Sequence, residues 1–301
     1  MGRLTAIVLG AAAGGGFPQW NCRCPVCQLA WNGASCVSAR TQASLAVSGD
    51  GERWTLLNAA PDLRAQIKST PALHPRGSAR GSPIAAVVLT GAEVDQVTGL
   101  LDLRERQSFE LFGTPETLDV LRRNPIFDVL APDVVSRRSI TYGDPFQLPG
   151  GLEAELFAVP GKVPLYLERG DVNLRGEPGS NAGVEIRSGG ARLVFVPGAA
   201  EVTPALKDRL GAADVVLFDG TLFTDDEMIR TGTGPKTGRR MGHMPIDGEG
   251  GSLAALRGVG KRRIYIHLNN TNPVLVEGSP ERRKVEAAGW EVAADGLEIN
   301  L

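Results

Sequence analysis

Three of the four cysteines in this 301-residue chain stand close together, at Cys22, Cys24 and Cys27. Thiolates at this spacing converge on one tetrahedral cation when the backbone between them turns tightly, and Pro25 helps to fix such a turn. The segment therefore predicts a Zn²⁺ site with three ligands from one loop. The fourth ligand has to come from a distant residue or from water, so the metal would tie the N-terminal segment to a remote part of the chain.

The alternative for this cluster is a disulfide pair with one spare thiol. Secreted domains that rely on disulfides are rich in cysteine, whereas this chain has only four. We therefore favour metal binding by reduced thiols. That reading agrees with an expected cytoplasmic location.

Composition narrows the class of protein. A hydrophobic content of 42% over 301 residues is enough for a large core, and we expect one domain over residues 1–301. The formal charge of -2 and the scattered 32 basic residues argue against a nucleic-acid partner. The run Leu4–Leu9 before Gly14 predicts a strand and a turn rather than a signal peptide, and no apolar run reaches the ~20 residues that span a bilayer.

Short apolar runs and helix-start signals predict the fold class. Three segments place a hydroxyl residue before a proline, as helix N-termini do: Thr114-Pro115, Thr203-Pro204 and Ser279-Pro280. The last of these helices has a stop signal at Gly289. The runs that predict strands are Leu4–Leu9, Trp54–Leu57, Ile84–Leu89, Leu152–Val159, Leu193–Val196, Val215–Phe218 and Ile264–Ile266. Dominant strands with separated helices predict an α/β protein of two sheets with helices on the outer faces, a four-layer unit.

Polar residues follow several of these strands, and neighbouring strands bring their ends to a common rim. The candidates are Glu93, Asp95 and Gln96 after one strand, Asp219 and His267 after two others, and His243 in a loop. Taken singly, such an Asp is more commonly a turn former or helix cap. Together, histidines and carboxylates with open positions suit non-haem iron at least as well as Zn²⁺. The third histidine, His74, is expected in a surface loop.

Four segments carry a resemblance to a known family. They are Leu9–Cys24 (LGAAAGGGFPQWNCRC), Asn58–Arg64 (NAAPDLR), Lys236–His243 (KTGRRMGH) and His267–Pro273 (HLNNTNP). In these segments, and from end to end, the chain resembles the pyrroloquinoline quinone (PQQ) biosynthesis protein B family of the metallo-β-lactamase superfamily. The resemblance implies a four-layer αββα sandwich with its metals at one rim.

The resemblance also implies a reduced metal site. In the superfamily's metal motif, Gly91, Glu93 and Gln96 stand where histidines are usual, and only Asp95 is unchanged. The next superfamily histidine and the bridging aspartate fall near Gly161 and Gly198, where neither residue is present. A two-metal hydrolytic centre is thus dismantled. A single Fe²⁺ is left with the candidate ligands Glu93, Asp95, Gln96, Asp219 and His267, and Gln96 is the weakest donor among them.

The family implies iron-dependent hydroxylation of a tyrosine-derived, Glu-Tyr cross-linked precursor of PQQ. Asp219 and His243 would be catalytic, with His243 moving a proton as in related phosphodiesterases, and Arg64 or Lys162 would hold substrate carboxylates. The structural Zn²⁺ would sit in the cysteine cluster, and the superfamily's fourth ligand falls at Asn270, which leaves that ligand open.

Two other functions stay open at this point. One is a carrier that binds PQQ or its precursor and assists its movement to the periplasm, and the weaker one is a metal-dependent hydrolase. The expected partners are PQQ or its precursor, and other PQQ-biosynthesis proteins or a second copy of the chain are further candidates. No membrane insertion is expected.

Overall fold

Two seven-stranded sheets form the framework of the computed structural model, which describes residues 4–77, 79–169 and 179–301. Its strands are β1 (Thr5–Gly10), β2 (Ser44–Ser48), β3 (Trp54–Leu57), β4 (Ile84–Val88), β5 (Phe109–Gly113), β6 (Val135–Ser139), β7 (Pro145–Leu148), β8 (Leu152–Ala158), β9 (Ala182–Ser188), β10 (Ala191–Val196), β11 (Val215–Asp219), β12 (Arg262–Ile266), β13 (Glu291–Val292) and β14 (Glu298–Asn300). The strand order is β14-β1-β2-β3-β4-β5-β6 in the first sheet and β13-β12-β11-β10-β9-β8-β7 in the second.

Eight α-helices are described, and three of them begin where the sequence predicts. The eight are α1 (Pro25–Trp31), α2 (Leu63–Ser69), α3 (Val94–Val97), α4 (Pro115–Arg123), α5 (Pro204–Gly211), α6 (Glu227–Arg230), α7 (Ser252–Ala255) and α8 (Pro280–Ala287), with short 3₁₀ turns between them. The hydroxyls of Thr114, Thr203 and Ser279 each accept the N3 backbone N–H of the helix that follows. Gly289, with φ of +77°, follows the end of α8.

Three apolar clusters confirm the four-layer arrangement. The inner one joins facing side chains of the two sheets, such as Leu45 and Val88 with Phe195 and Leu217. A second lies between the first sheet and the helices that cover it, and a third covers the outside of the second sheet and includes the cysteine segment. The predicted αββα sandwich is therefore correct, and all seven runs predicted as strands form strands.

Parallel pairing positions the site. In the second sheet β10, β11 and β12 are parallel neighbours, so the residues that follow β11 and β12 leave the sheet at the same edge. The turn after β4 in the first sheet reaches the same place, since Asp95 contacts His267. None of the helices in the described part of the chain combines the length and the hydrophobicity needed to cross a membrane.

Candidate functional site

Asp219 is the centre of the rim. It is the last residue of β11 and is fully buried. Its Oδ2 accepts the backbone N–H of Ala199 at 2.8 Å, and its Oδ1 accepts the N–H and the hydroxyl of Thr221 at 3.0 and 2.6 Å. Backbone and hydroxyl donors thus fix the carboxylate in one orientation before any histidine is considered.

His243 reaches this carboxylate from a glycine turn. Gly242 has φ of +87°, a conformation that other residues rarely adopt, and it turns the chain so that His243 faces Asp219. The Nδ1 of His243 lies 2.7 Å from Asp219 Oδ2. Because a carboxylate only accepts, this nitrogen carries the proton and Nε2 is left as the basic nitrogen of the ring.

His267 lies directly after β12, with φ of +60°, in the left-handed region that a non-glycine residue occupies only under constraint. Its Nε2 lies 2.9 Å from Asp95 Oδ2 and its Nδ1 lies 2.8 Å from the hydroxyl of Thr221. The rings of His243 and His267 stack with their centroids 5.2 Å apart. The two strand ends and the loop therefore meet in one cluster, as the sequence predicted.

Electrostatics favour charged groups in this cluster. Burial opposes ionisation of Asp219, but the charge and hydrogen bond of His243 outweigh it and lower the pKa of the carboxyl. The pKa of Asp95 is also lowered, because the hydrogen bond and charge of His267 exceed the effect of burial. For His267, burial favours the neutral ring, yet Asp95 and Asp219 raise its pKa. The rim thus holds two carboxylates that attract a cation.

The rim residues fit a metal ion. One ligand atom from each of Asp219, His243 and His267 lies within 4.8 Å of the others. Neighbouring ligands of an octahedral ion with bonds of about 2.1 Å are about 3.0 Å apart. The 2.9 Å between Asp95 Oδ2 and His267 Nε2 matches that separation. This pair can therefore hold a divalent cation between a carboxylate and an imidazole.

Glu93 and Gln96 are placed differently from these residues. They form a capping box at the start of α3, in which the Gln96 Oε1 accepts the Glu93 backbone N–H at 3.1 Å. The Glu93 carboxylate also accepts from Lys162 Nζ at 2.9 Å. Both side chains line the cavity beside the rim, but their oxygens have protein partners. Their roles as metal ligands stay predictions.

Glycines stand at or near two positions where the resemblance to the superfamily implies ligands that this chain lacks. A Cβ on Gly91 would lie 2.6 Å from the Gln96 Oε1, so the Gln96 amide fills the space of a side chain there. A Cβ on Gly161 would collide with the Asn181 side chain. At both positions, the side chain of another residue occupies the space that a larger residue would need.

A cavity of about 540 Å³ opens over the rim. Lys162 and Lys236 both line it. The Lys162 ammonium is paired with Glu93 at 2.9 Å and with Glu168 at 3.1 Å. Lys236 has no ion-pair partner within the described ranges. Arg64, the other residue expected to hold a carboxylate, lies exposed on α2 and is not among the described residues that line the cavity.

Sequence reasoning missed Thr221 and Lys236 as site residues. Thr221 stands two residues after the candidate Asp219, and Lys236 begins the segment that ends at His243, so each lay close to a residue already singled out. A threonine or a lysine in a loop has no spacing that separates it from a surface residue. Only the folded contacts identify these two.

The cysteine cluster is a second candidate metal site. The Sγ atoms of Cys22, Cys24 and Cys27 lie within 4.8 Å of one another, and all four cysteines of the chain are free thiols. Around Zn–S bonds of about 2.3 Å, tetrahedral sulfurs are about 3.8 Å apart. Burial, with the neighbouring thiols, raises the pKa of Cys24 to about 12. A cation would reverse that preference and deprotonate the thiols. The cluster fits a metal site.

Asn270 closes the open side of the cysteine cluster. Its side-chain nitrogen lies 3.1 Å from the sulfur of Cys22 and 3.3 Å from that of Cys27. Its backbone oxygen lies 3.6 Å from the sulfur of Cys24. The nitrogen and oxygen of an amide exchange places when it turns over. The same side chain can therefore present Nδ2 to thiols or Oδ1 to a metal.

Comparisons with known proteins agree with these features. Residues 53–268 match the profile of the Beta-lactamase superfamily domain. The chain is 56% identical over 299 residues to the coenzyme PQQ synthesis protein B of Methylobacterium nodulans, which covers 99% of this chain and 100% of the relative. It is 54% identical to the coenzyme PQQ synthesis protein B of Rhizobium meliloti, with 99% and 98% covered.

Two solved structures extend the comparison. The crystal structure of Zn²⁺-bound PqqB from Methylobacterium extorquens superposes with a TM-score of 0.97 at 54% identity, over 99% of this chain and 100% of that one. A diphosphatase from the PhnP family superposes with a TM-score of 0.67 at 20% identity, over 99% and 97%. The second likeness shows the shared fold alone.

Proposed function

Because the chain belongs to the coenzyme PQQ synthesis protein B family, within the β-lactamase superfamily, we propose that it hydroxylates a tyrosine-derived, Glu-Tyr cross-linked precursor of PQQ with a rim Fe²⁺. The observation that carries the proposal is the pair formed by Asp95 Oδ2 and His267 Nε2, 2.9 Å apart beside the cavity. Non-haem iron sites combine imidazole and carboxylate ligands with open positions, and this pair supplies one ligand of each kind.

Side chains of this chain supply binding and proton transfer. His243 lines the cavity, and Asp219 holds its Nδ1–H, so Nε2 is the nitrogen that accepts the proton of a bound phenol. The stacked ring of His267 fixes the plane of His243 from one side. A base held in this way needs little reorganisation when the proton moves.

Lys236 is the residue that we assign to a substrate carboxylate. It lines the cavity and lacks an ion-pair partner within the described parts of the chain, whereas Lys162 is already neutralised by Glu93 and Glu168. Val94 and Leu165, exposed at the mouth of the same cavity, offer apolar surface to an aromatic ring. An aromatic ring that carries carboxylates matches this apolar surface and the ammonium of Lys236, which is unpaired among the described residues.

The reaction balances with a reductant of the ascorbate class. One oxygen atom of O₂ replaces a ring hydrogen as hydroxyl, and the other leaves as water, so that two electrons and two protons are consumed. Fe²⁺, when bound, supplies the activation of O₂ that amino-acid side chains cannot provide.

The test uses protein purified without oxygen, with Zn²⁺ in the cysteine cluster and either Fe²⁺ or Zn²⁺ at the rim. We expect O₂ uptake and a precursor that gains one oxygen atom only with Fe²⁺. His243→Ala should lower turnover by about 10²–10⁴-fold, the usual contribution of a general acid or base, with the metal content unchanged by elemental analysis.

His74→Ala is the matched control, because the ring of the exposed His74 bonds to the Lys68 carbonyl alone among the described residues, and the substitution should leave turnover as it is. Loss of rim iron in His243→Ala would make His243 a ligand and not a proton carrier. Full iron occupancy without O₂ uptake, but with tight binding of the precursor, would replace the oxygenase by the carrier function. Lys236 and the apolar mouth of the cavity would support that second function equally well.

A further inference from the structure

The hydroxyl of Thr221 contacts all three residues of the rim cluster, Asp219, His243 and His267. Its hydroxyl oxygen lies 2.6 Å from Asp219 Oδ1, 2.8 Å from His267 Nδ1 and 3.1 Å from His243 Nδ1. The side chain is buried, so no solvent competes for these contacts. Thr221 is neither a metal ligand nor a proton carrier in the function proposed above.

The Thr221 hydroxyl has one proton to donate, and the chemistry of its partners determines which of them receives it. The ionised Asp219 can only accept, so the Thr221 proton is donated to Asp219. The oxygen of Thr221 is then left with lone pairs alone, and the contact with His267 Nδ1 requires that this nitrogen carry a proton.

The second nitrogen of the His267 ring faces another hydrogen-bond acceptor, the Asp95 carboxylate. His267 Nε2 points at the Asp95 carboxylate, 2.9 Å away. With Nδ1–H bound to Thr221, Nε2 is the ring nitrogen that faces Asp95, and in the metal-free protein it donates a hydrogen bond to that carboxylate. A divalent cation that binds both atoms would replace that proton.

We propose that Thr221 is a positioning residue that holds His267 as the Nδ1–H form and thereby aims Nε2, together with Asp95, at the rim cation. The proposal deepens the rim site on which the proposed function rests. It needs a divalent cation at the rim but neither O₂ nor any substrate. Its failure and that of the hydroxylation are therefore separable.

The test compares Thr221→Val, which keeps the shape of the side chain without the hydroxyl, with Thr221→Ser, which keeps the hydroxyl. Co²⁺ is titrated into each protein under argon after the cysteine cluster has been filled with Zn²⁺, and the Co²⁺ absorption reports the rim. We expect Thr221→Val to weaken Co²⁺ binding by about 10–100-fold, as for other residues that orient a ligand, and Thr221→Ser to restore it to within a few-fold.

A second readout reports the hydrogen bond itself. With three histidines in the chain, the imidazole N–H protons are assignable by NMR of the Zn²⁺-loaded protein. A slowly exchanging His267 Nδ1–H is expected in the parent and in Thr221→Ser, and fast exchange in Thr221→Val. The His243 Nδ1–H should persist in all three, because Asp219 holds it at 2.7 Å.

Thr55→Val is the control for the substitution itself, since Thr55 is buried in β3 and its hydroxyl has no hydrogen-bond partner in the described structure. This variant should bind Co²⁺ like the parent. Equal affinity of Thr221→Val and the parent would overturn the proposal, as would a parent that binds no Co²⁺ at the rim. Rim binding that depends on Thr221, in a protein without hydroxylase activity, would support the proposal and reject the proposed function.

Discussion

The cysteine cluster and the rim cluster are both suited to a metal, but their surroundings differ. Cys24 and Cys27 are buried within the apolar layer outside the second sheet, and Asn270 covers their remaining side. Asp95 and His267 instead line a cavity of about 540 Å³. Soft sulfur donors without an open position are typical of structural zinc, whereas oxygen and nitrogen donors beside a cavity are typical of metals that meet substrate.

One short segment joins the two clusters. The ring of His267 lies at the rim, and the side-chain amide of Asn270, three residues later, contacts the cysteine sulfurs. The segment is pinned between them, since Asn269 N–H bonds to the Thr221 carbonyl and the Asn272 side chain bonds to the Gly220 carbonyl. The cysteine cluster therefore anchors the chain from which a rim ligand projects.

The largest effect is expected from Cys24→Ser. If the cluster holds structural Zn²⁺, loss of a thiolate removes metal binding that contributes directly to folding, and we expect a loss of about 4–5 kcal/mol in the free energy of unfolding. For a chain of this size that lowers Tm by about 6–8 °C. Thermal unfolding and zinc analysis of the same samples provide the measurement.

Cys36→Ser is the matched control, because Cys36 lies outside the cluster and is half-buried. It should keep both zinc and Tm close to the parent values. Unchanged zinc stoichiometry in Cys24→Ser would show that the cluster is not the zinc site. The contrast between the two clusters would then lose its basis.

Much of the rim was predictable because its polar residues directly follow apolar runs that predict strands. Which of those residues meet depends on how the strands pair. Asp219 is the last residue of β11 and His267 directly follows β12. Because these two strands are parallel neighbours, residues far apart in sequence meet at one edge of the sheet. Seven of the fourteen described strands were not predicted, among them β2 and β5, since Ser44–Ser48 is short with a serine at each end and Glu110 interrupts Phe109–Gly113. β2 and β5 form because each fills a place between paired neighbours, which no local pattern encodes.

Functional side chains without a distinctive spacing could not be predicted from the sequence. The roles of Thr221 and Glu227 depend on which atoms meet after folding, and a loop threonine or a helix-start glutamate has many other uses. Arg64 was chosen by its charge alone, and it lies exposed on α2. Charge type is weak information about position, because a positive side chain is favourable over most of a protein surface.

A middle-sized effect is expected at Glu227, which supports the segment between the clusters. Its carboxyl is buried and accepts from the Thr271 hydroxyl at 2.5 Å and from the Phe223 N–H at 2.7 Å. Burial raises the pKa of Glu227 to about 7. The folded protein thus binds this proton more tightly than the unfolded chain. The stability that it contributes is complete below the unfolded pKa of about 4.3 and is lost as pH rises to 7.

The measurement is urea unfolding of the parent and of Glu227→Gln between pH 5 and pH 8. Over this range the free energy of unfolding of the parent should fall by about 2–3 kcal/mol more than that of the variant, whose amide does not titrate. Parallel pH profiles would show that Glu227 is not protonated in the native protein. The segment between the clusters would then be insensitive to pH at this residue.

The smallest effect is expected at Gln96, which decides how far the rim extends along α3. Its amide oxygen accepts the Glu93 N–H at 3.1 Å, so Gln96→Ala should lose one bond of the capping box and about 0.5–1 kcal/mol of stability, measured by urea unfolding.

Gln96→His places an imidazole at a position that lines the cavity. It should tighten Co²⁺ binding at the rim by about 10-fold if position 96 faces the metal. The cysteine cluster, which shares no contact with this helix among the described residues, should keep its zinc in both variants. Equal Co²⁺ affinity in Gln96→His and the parent would restrict Gln96 to its capping role and leave Asp95 as the one ligand from α3.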